Sequence, residues 1–240
     1  VYASVISNQV FNNIIFDSRC DFDLGMLPVN TSATQAAYGN RLDHNLYFRP
    51  GDTPRLSLSA IAWYNSVTGW QAATGWESNS VQADPLLGPD FLPATNSPVV
   101  DRGATPGAPD RDRVGLPRPL DGDLDGVARP DLGARELLRA EADSDHDGMT
   151  DGDEQRAGTH PADPGSVLRA RLVPPGAGSE GAVTWPGVSQ RIYRLALTTN
   201  LHEPFVAWQT NVPAQIPLTG LSLSNPSLPQ AFFRVEVESP

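Results

Sequence analysis

Lysine is absent from this chain of 240 residues, and all 17 basic residues are arginine. That excludes Schiff-base chemistry and a lysine general base. Cysteine occurs once, at Cys20, which rules out an internal disulfide framework and a thiolate metal site and leaves that residue a core-filling role. Positive charge is scarce: 17 basic against 28 acidic residues give a net charge of −11 and a pI near 4.7. Such a surface has no electrostatic footprint for nucleic acid or for an anionic membrane. No apolar run approaches the roughly 20 residues that a membrane-spanning helix needs. The chain begins at Val1 with neither a basic n-region nor an apolar h-region. It reads as the C-terminal piece of something longer, with any export signal lying ahead of it.

Of the residues present, 39% are hydrophobic and five are tryptophan, enough for a sizeable core in one large domain or two modest ones. The 23 prolines and 21 glycines argue against long helices. Residues 1–100 carry short β-rich runs separated by Asn, Gly, Ser and Pro. Two of them resemble each other: Asn13-Ile14-Ile15-Phe16 and Asn45-Leu46-Tyr47-Phe48. A polar residue before a short apolar strand, recurring after a few tens of residues, is the pattern of a parallel β-helix whose asparagines ladder at the bends. An ordinary β-sandwich with coincidental asparagines is the competing explanation. After these runs, WQAATGWESNS between Trp70 and Ser80 can form an amphipathic helix or a lid.

Four motifs follow in order: Asp84-Pro85-Leu86-Leu87, Ser97-Pro98-Val99-Val100-Asp101-Arg102-Gly103, Arg118-Pro119-Leu120-Asp121-Gly122-Asp123 and Asp131-Leu132-Gly133-Ala134-Arg135-Glu136. Together they resemble the C-terminal end of secreted bacterial right-handed parallel β-helix proteins, whose usual form is close to SPAIDAG, RPLDGD, DIGAYE. Arg135 stands where that pattern has an aromatic residue and Arg102 where it has a small one. The resemblance implies a fold and a broad class that includes pectate-lyase-like and other carbohydrate-active proteins. Fold alone does not deliver an activity.

From residue 167 apolar residues alternate with polar ones in Ala182–Trp185, Arg191–Leu197, Phe205–Trp208 and Phe232–Val237. Period two with polar faces predicts an antiparallel sheet open to water on one side. The run order is similar to small C-terminal β-modules appended to secreted proteins of verrucomicrobia and planctomycetes. Trp185 and Trp208 either fill its core or bind glycan.

The densest feature is DSDHDGMTDGDE, residues 143–154, in which half the positions are acidic. Like charges so close repel, so something must neutralise them. The spacing fits a calcium loop at every ligand position: Asp143, Asp145 and Asp147 at one, three and five, Gly148 at the sharp turn, the Met149 carbonyl at seven, Asp151 at nine and Glu154 at twelve. The flanks differ from a paired EF-hand. Only Arg135–Ala142 can be helical before the loop, and about one turn, Glu154–Ala157, follows it before Gly158. The continuation through Asp163 resembles thrombospondin type 3-like repeats, with His160 where an acidic or amide residue is usual and Asp163 as a substitute ligand. A second set, Asp121, Asp123 and Asp125 with Gly126, repeats the first half of the loop but meets Arg129 and Leu132 at nine and twelve. Asp131 is the residue able to close it.

For catalysis the sequence offers only Arg41, Asp43 and His44. The latter two face opposite sides of a strand unless a turn joins them. No catalytic residue is assigned. The expected architecture is all-β: terminal coils of a right-handed parallel β-helix over 1–137, a calcium-binding linker over 138–166 and a small antiparallel, sandwich-like β-domain over 167–240. The expected setting is extracellular or cell-surface, in a protein associated with polysaccharide, with Ca²⁺ as the bound ion. Any lyase or hydrolase site would lie in coils preceding Val1, the alternative being a non-catalytic adhesin or carbohydrate-binding solenoid.

Overall fold

The computed structural model describes residues 7–16, 22–23, 39–58, 62–176, 180–223 and 230–239. Cys20 lies outside them. The chain divides into two compact units, Val1–Ser144 and Asp145–Pro240. Strands dominate both, with two short helices and one 3₁₀ turn among the described residues.

The first unit opens with eight short strands: β1 Gln9–Phe11, β2 Ile14–Phe16, β3 Phe22–Asp23, β4 Arg41–Asp43, β5 Leu46–Phe48, β6 Leu56–Leu58, β7 Ala62–Tyr64 and β8 Val81–Gln82. β1 pairs with β4, β2 with β5, β5 with β8 and β3 with β6, all in parallel. The two runs that look alike in sequence lie side by side, Ile14 opposite Leu46 and Phe16 opposite Phe48. One pairing, β6 with β7, is antiparallel. The sheets are thus small and mixed, and no continuous solenoid is evident among the described residues.

Asparagines do ladder at the bend. Buried Asn45 accepts the backbone N–H of Asn13 (3.1 Å) and its side-chain amide (3.0 Å), and donates to the Val10 carbonyl (2.9 Å) and to the Glu77 carboxylate (3.0 Å). Glu77 ends the stack, also buried, and takes hydrogen bonds from the Tyr47 and Ser80 hydroxyls. Buried polar groups need such partners, and here each supplies the next. Adjacent side chains of β5 leave on opposite faces. Tyr47 joins Leu56, Val67 and Trp70 in one apolar cluster, while Leu46 joins Val99 and Leu132 in another.

Helix α1, Val67–Thr74, starts three residues ahead of the expected tryptophan segment because the Ser66 hydroxyl accepts the Gly69 N–H. It stops at Gly75, in the left-handed conformation, so WQAATGWESNS is half helix and half turn. The four ordered motifs form little regular structure; side chains tie their backbones together. The Leu132 N–H reaches the Val99 carbonyl at 3.0 Å, Ser97 Oγ donates to the Pro85 carbonyl at 2.6 Å, and Arg135 pairs with Asp112 at 3.2 Å. The stretch Arg135–Ala142, which could be helical by its sequence, forms no helix. The N–H groups of Glu136 and Leu137 are given to Asp112 and Asp131, which holds that backbone out of a helical ladder.

The second unit contains α2, Asp151–Ala157, and two three-stranded antiparallel sheets. β9 Arg171–Val173, β10 Ala182–Pro186 and β13 Leu218–Ser222 form one; β11 Ile192–Thr198, β12 Val206–Pro213 and β14 Phe232–Ser239 form the other. Their inward residues, Val183 and Trp185 from one sheet and Tyr193, Leu195 and Val212 from the other, make a single core. Trp185 is fully buried against Tyr193, and Trp208 packs on Phe233, so both rings serve the core.

Candidate metal centre

Residues 143–154 are one continuous loop that runs into a helix. Asp143, Asp145 and Asp147 place carboxylate oxygens within 4.8 Å of one another, as the alternating spacing requires. The curl is set locally: Asp145 Oδ1 accepts the Asp147 N–H (3.2 Å) and Asp147 Oδ1 accepts the Met149 N–H (2.8 Å). Gly148, at φ 95°, supplies the turn that a side chain would resist. The Met149 side chain leaves the loop, its sulfur meeting the Leu168 N–H at 3.3 Å, which is consistent with only its backbone serving the loop.

Helix α2 begins at Asp151, three residues earlier than the sequence suggests, because the Thr150 hydroxyl caps it by accepting the Asp153 N–H. Starting there puts Asp151 and Glu154 one turn apart on the same face. Both are fully buried, at 0% exposure. Neither oxygen of Glu154 has a hydrogen-bond partner. Burial pushes its carboxyl up to about 7; the Thr159 hydroxyl, whose hydrogen bond goes to the Glu154 carbonyl (3.4 Å), lowers it in part, and the charges of Asp145, Asp147 and Asp151 raise it further. A buried carboxylate without partners is a costly group, and surrounding it with three more makes it costlier. Asp143, Asp145 and Asp147 are the group able to hold a metal ion, and their donors are all oxygen, which suits a hard cation. Asp163, the substitute ligand suggested by the repeat, accepts the Gly165 N–H on Oδ1 at 2.9 Å.

A second acidic group differs from the set that spacing suggested. Asp121 and Asp123 do come together, but their third member is Asp101, all within 4.8 Å. Asp125 turns away to pair with Arg129 at 3.2 Å. Asp131 is occupied by the N–H groups of Asp101 (2.9 Å) and Leu137 (2.7 Å). No local spacing signals Asp101, because it belongs to a motif some twenty residues upstream and only the tertiary fold delivers it.

The other charged cluster is structural. Asp43 takes N–H groups from His44 (2.9 Å) and Asn79 (2.7 Å) and the Asn79 side-chain amide (2.8 Å), while His44 Nδ1 lies 2.8 Å from the Arg102 carbonyl. Burial raises the Asp43 carboxyl, but these hydrogen bonds outweigh it and leave the group below its ordinary value. Asp43 and His44 thus hold a bend against the neighbouring turn, and no hydrogen bond joins their two side chains. No helix among the described residues is long and apolar enough to cross a membrane. No protein-family model, curated protein or solved structure matches this chain.

Proposed function

We propose that residues 143–154 bind one Ca²⁺, with Asp143, Asp145, Asp147, Asp151 and Glu154 as side-chain ligands and the Met149 carbonyl as the backbone ligand. The observation that carries this reading is Glu154, a fully buried carboxylate with neither oxygen hydrogen-bonded, set against three aspartates. A bidentate glutamate at the twelfth position is how such loops close on calcium, and the ion would relieve both the burial and the repulsion. Magnesium fits less well, since it demands a stricter octahedron and keeps its water.

The wider reading is that the chain belongs to an extracellular protein associated with polysaccharide. Its parallel pairs are taken as coils of a β-helix, supported by register offsets of 32 (Gln9↔Arg41, Ile14↔Leu46), 34 (Phe22↔Leu56) and 35 residues (Leu46↔Val81) and by the Asn13-Asn45-Glu77 stack. Near-millimolar extracellular calcium would keep a loop of this class occupied, with an affinity on the order of 10⁻⁴ to 10⁻³ M.

Thermal unfolding with and without calcium tests the site. At about 10 mM Ca²⁺ an affinity in that range stabilises the folded chain by about 2 kcal/mol. Glu154→Gln and Asp145→Asn should each lose a clear part of that gain. A calcium response unchanged in both variants would overturn the assignment.

A further inference from the structure

Asp101, Asp121 and Asp123 form a second concentration of negative charge, built by two motifs that no local spacing connects. Asp101 and Asp121 are almost completely buried, at 4% and 5% exposure. Among the described residues neither forms an ion pair, and two arginines that reach this loop are paired elsewhere, Arg129 with Asp125 and Arg139, which meets the Gly122 carbonyl at 3.5 Å, with Glu141. Asp101 receives the N–H groups of Asp123 (2.8 Å) and Arg129 (3.2 Å), so its carboxylate faces the loop of residues 121–126. The Asp121 side chain receives the Gly126 N–H on Oδ2 (2.9 Å), while its backbone N–H is given to the Ser144 hydroxyl (2.8 Å). Its other oxygen, Oδ1, is buried and has no hydrogen-bond partner.

That orphaned oxygen is the informative atom. Leaving a buried carboxylate oxygen unsatisfied is costly, and folds avoid it unless something else binds there. The partner must be positive, because two further carboxylates lie within 4.8 Å. It must also accept oxygen ligands alone, as no His or Cys belongs to the group. Each carboxylate oxygen carries two lone pairs, so the N–H bonds already present leave coordination sites on Asp101 and Asp123. An irregular loop with variable oxygen geometry suits Ca²⁺ better than the stricter Mg²⁺.

We propose a second calcium site in the first unit, formed by Asp101, Asp121 and Asp123, which pins the loop of residues 121–126 against the turn at Asp101. The site shares no ligand with residues 143–154, although the Asp121 N–H is given to the Ser144 hydroxyl at the start of that loop (2.8 Å).

The test uses the full chain carrying Glu154→Gln, so that the loop site and this one fail independently. Mn²⁺ serves as a paramagnetic calcium probe at pH 7.5, read by broadening of backbone amide signals. The expected result is selective broadening at residues 101 and 121–126, reversed by excess Ca²⁺. Asp121→Asn should weaken the calcium competition at least tenfold, and the exposed Asp125→Asn should leave it unchanged. Should Asp121→Asn fail to fold, the broadening map of the parent decides alone. Broadening confined to residues 143–154, spread over all surface carboxylates, or absent altogether would overturn the site. The last outcome would mean that a proton, and not a metal, neutralises the cluster.

Discussion

Asn45 shows how much one side chain can carry. It is fully buried and forms hydrogen bonds with Asn13, Val10 and Glu77, so its amide joins three stretches of chain. Removing it would strand the Val10 carbonyl and the Asn13 N–H and take a donor from Glu77, whose carboxyl is already raised by burial against the pull of its hydrogen bonds. Asn45→Ala should therefore cost about 3 kcal/mol in urea unfolding, the upper range for breaking a buried polar network. A cost below about 1 kcal/mol would mean that the stack is decorative. Glu154 has the opposite character: every polar atom of Asn45 finds a protein partner, whereas the Glu154 carboxylate finds none. The first pattern is that of a structural group, and the second is the one that the proposed calcium ion would relieve.

At the scale of elements, α2 is short and depends on its ends. Helices of two turns are marginal in isolation, so caps and packing decide whether they form. Thr150 caps the start, and Gly158 ends it at φ 77°, with its N–H returned to the Glu154 carbonyl at 2.7 Å. A Cβ at Gly158 would lie 2.6 Å from Val188 Cγ1 as well as strain the left-handed backbone. Gly158→Ala should destabilise the chain by about 2 kcal/mol and Thr150→Ala by about 1 kcal/mol, both measurable by chemical denaturation. Because α2 carries Asp151 and Glu154, both variants should also weaken the calcium response. Full retention of that response alongside the stability loss would separate the helix from the site. The sequence pattern places this helix but starts it three residues late, because Thr150, its cap, stands among acidic residues that fit loop ligands.

At the scale of the whole fold, the motif region of the first unit is held by a buried ionic network with too few cations. Arg118 pairs with Glu136 at 2.9 Å, Glu136 receives the N–H groups of Leu120 (3.0 Å) and Asp131 (3.1 Å), and Asp131 holds those of Asp101 and Leu137. Burial raises both carboxyls above their ordinary values, the charge of Asp131 raises Glu136 further and that of Asp101 raises Asp131, and Arg118 only partly offsets this. An acid whose value is raised by folding binds its proton more tightly in the folded state. Its contribution to stability is complete below the unfolded value and fades as pH rises through the folded one. Stability of the calcium-free chain should fall by about 2 to 3 kcal/mol between pH 5 and pH 9 on this account. Glu136→Gln should flatten that slope by removing one of the competing charges. Parallel pH profiles for parent and variant would show that the pair does not control it.

The sequence by itself determined those features whose physics is local. Alternating aspartates with a glycine at the sixth place bring Asp143, Asp145 and Asp147 together, because neighbours in a tight loop cannot do otherwise. The period-two runs after residue 167 became two antiparallel sheets, and the matching Asn-led runs became paired parallel strands, since burial of one face fixes register. Only the tertiary structure decided that Asp101 joins Asp121 and Asp123, that Asp131 and Asp125 do not, and that Arg135–Ala142 is not a helix. Each of those outcomes turns on backbone N–H groups meeting carboxylates from distant segments. Such pairings depend on where the chain returns in space, which spacing along the chain does not encode.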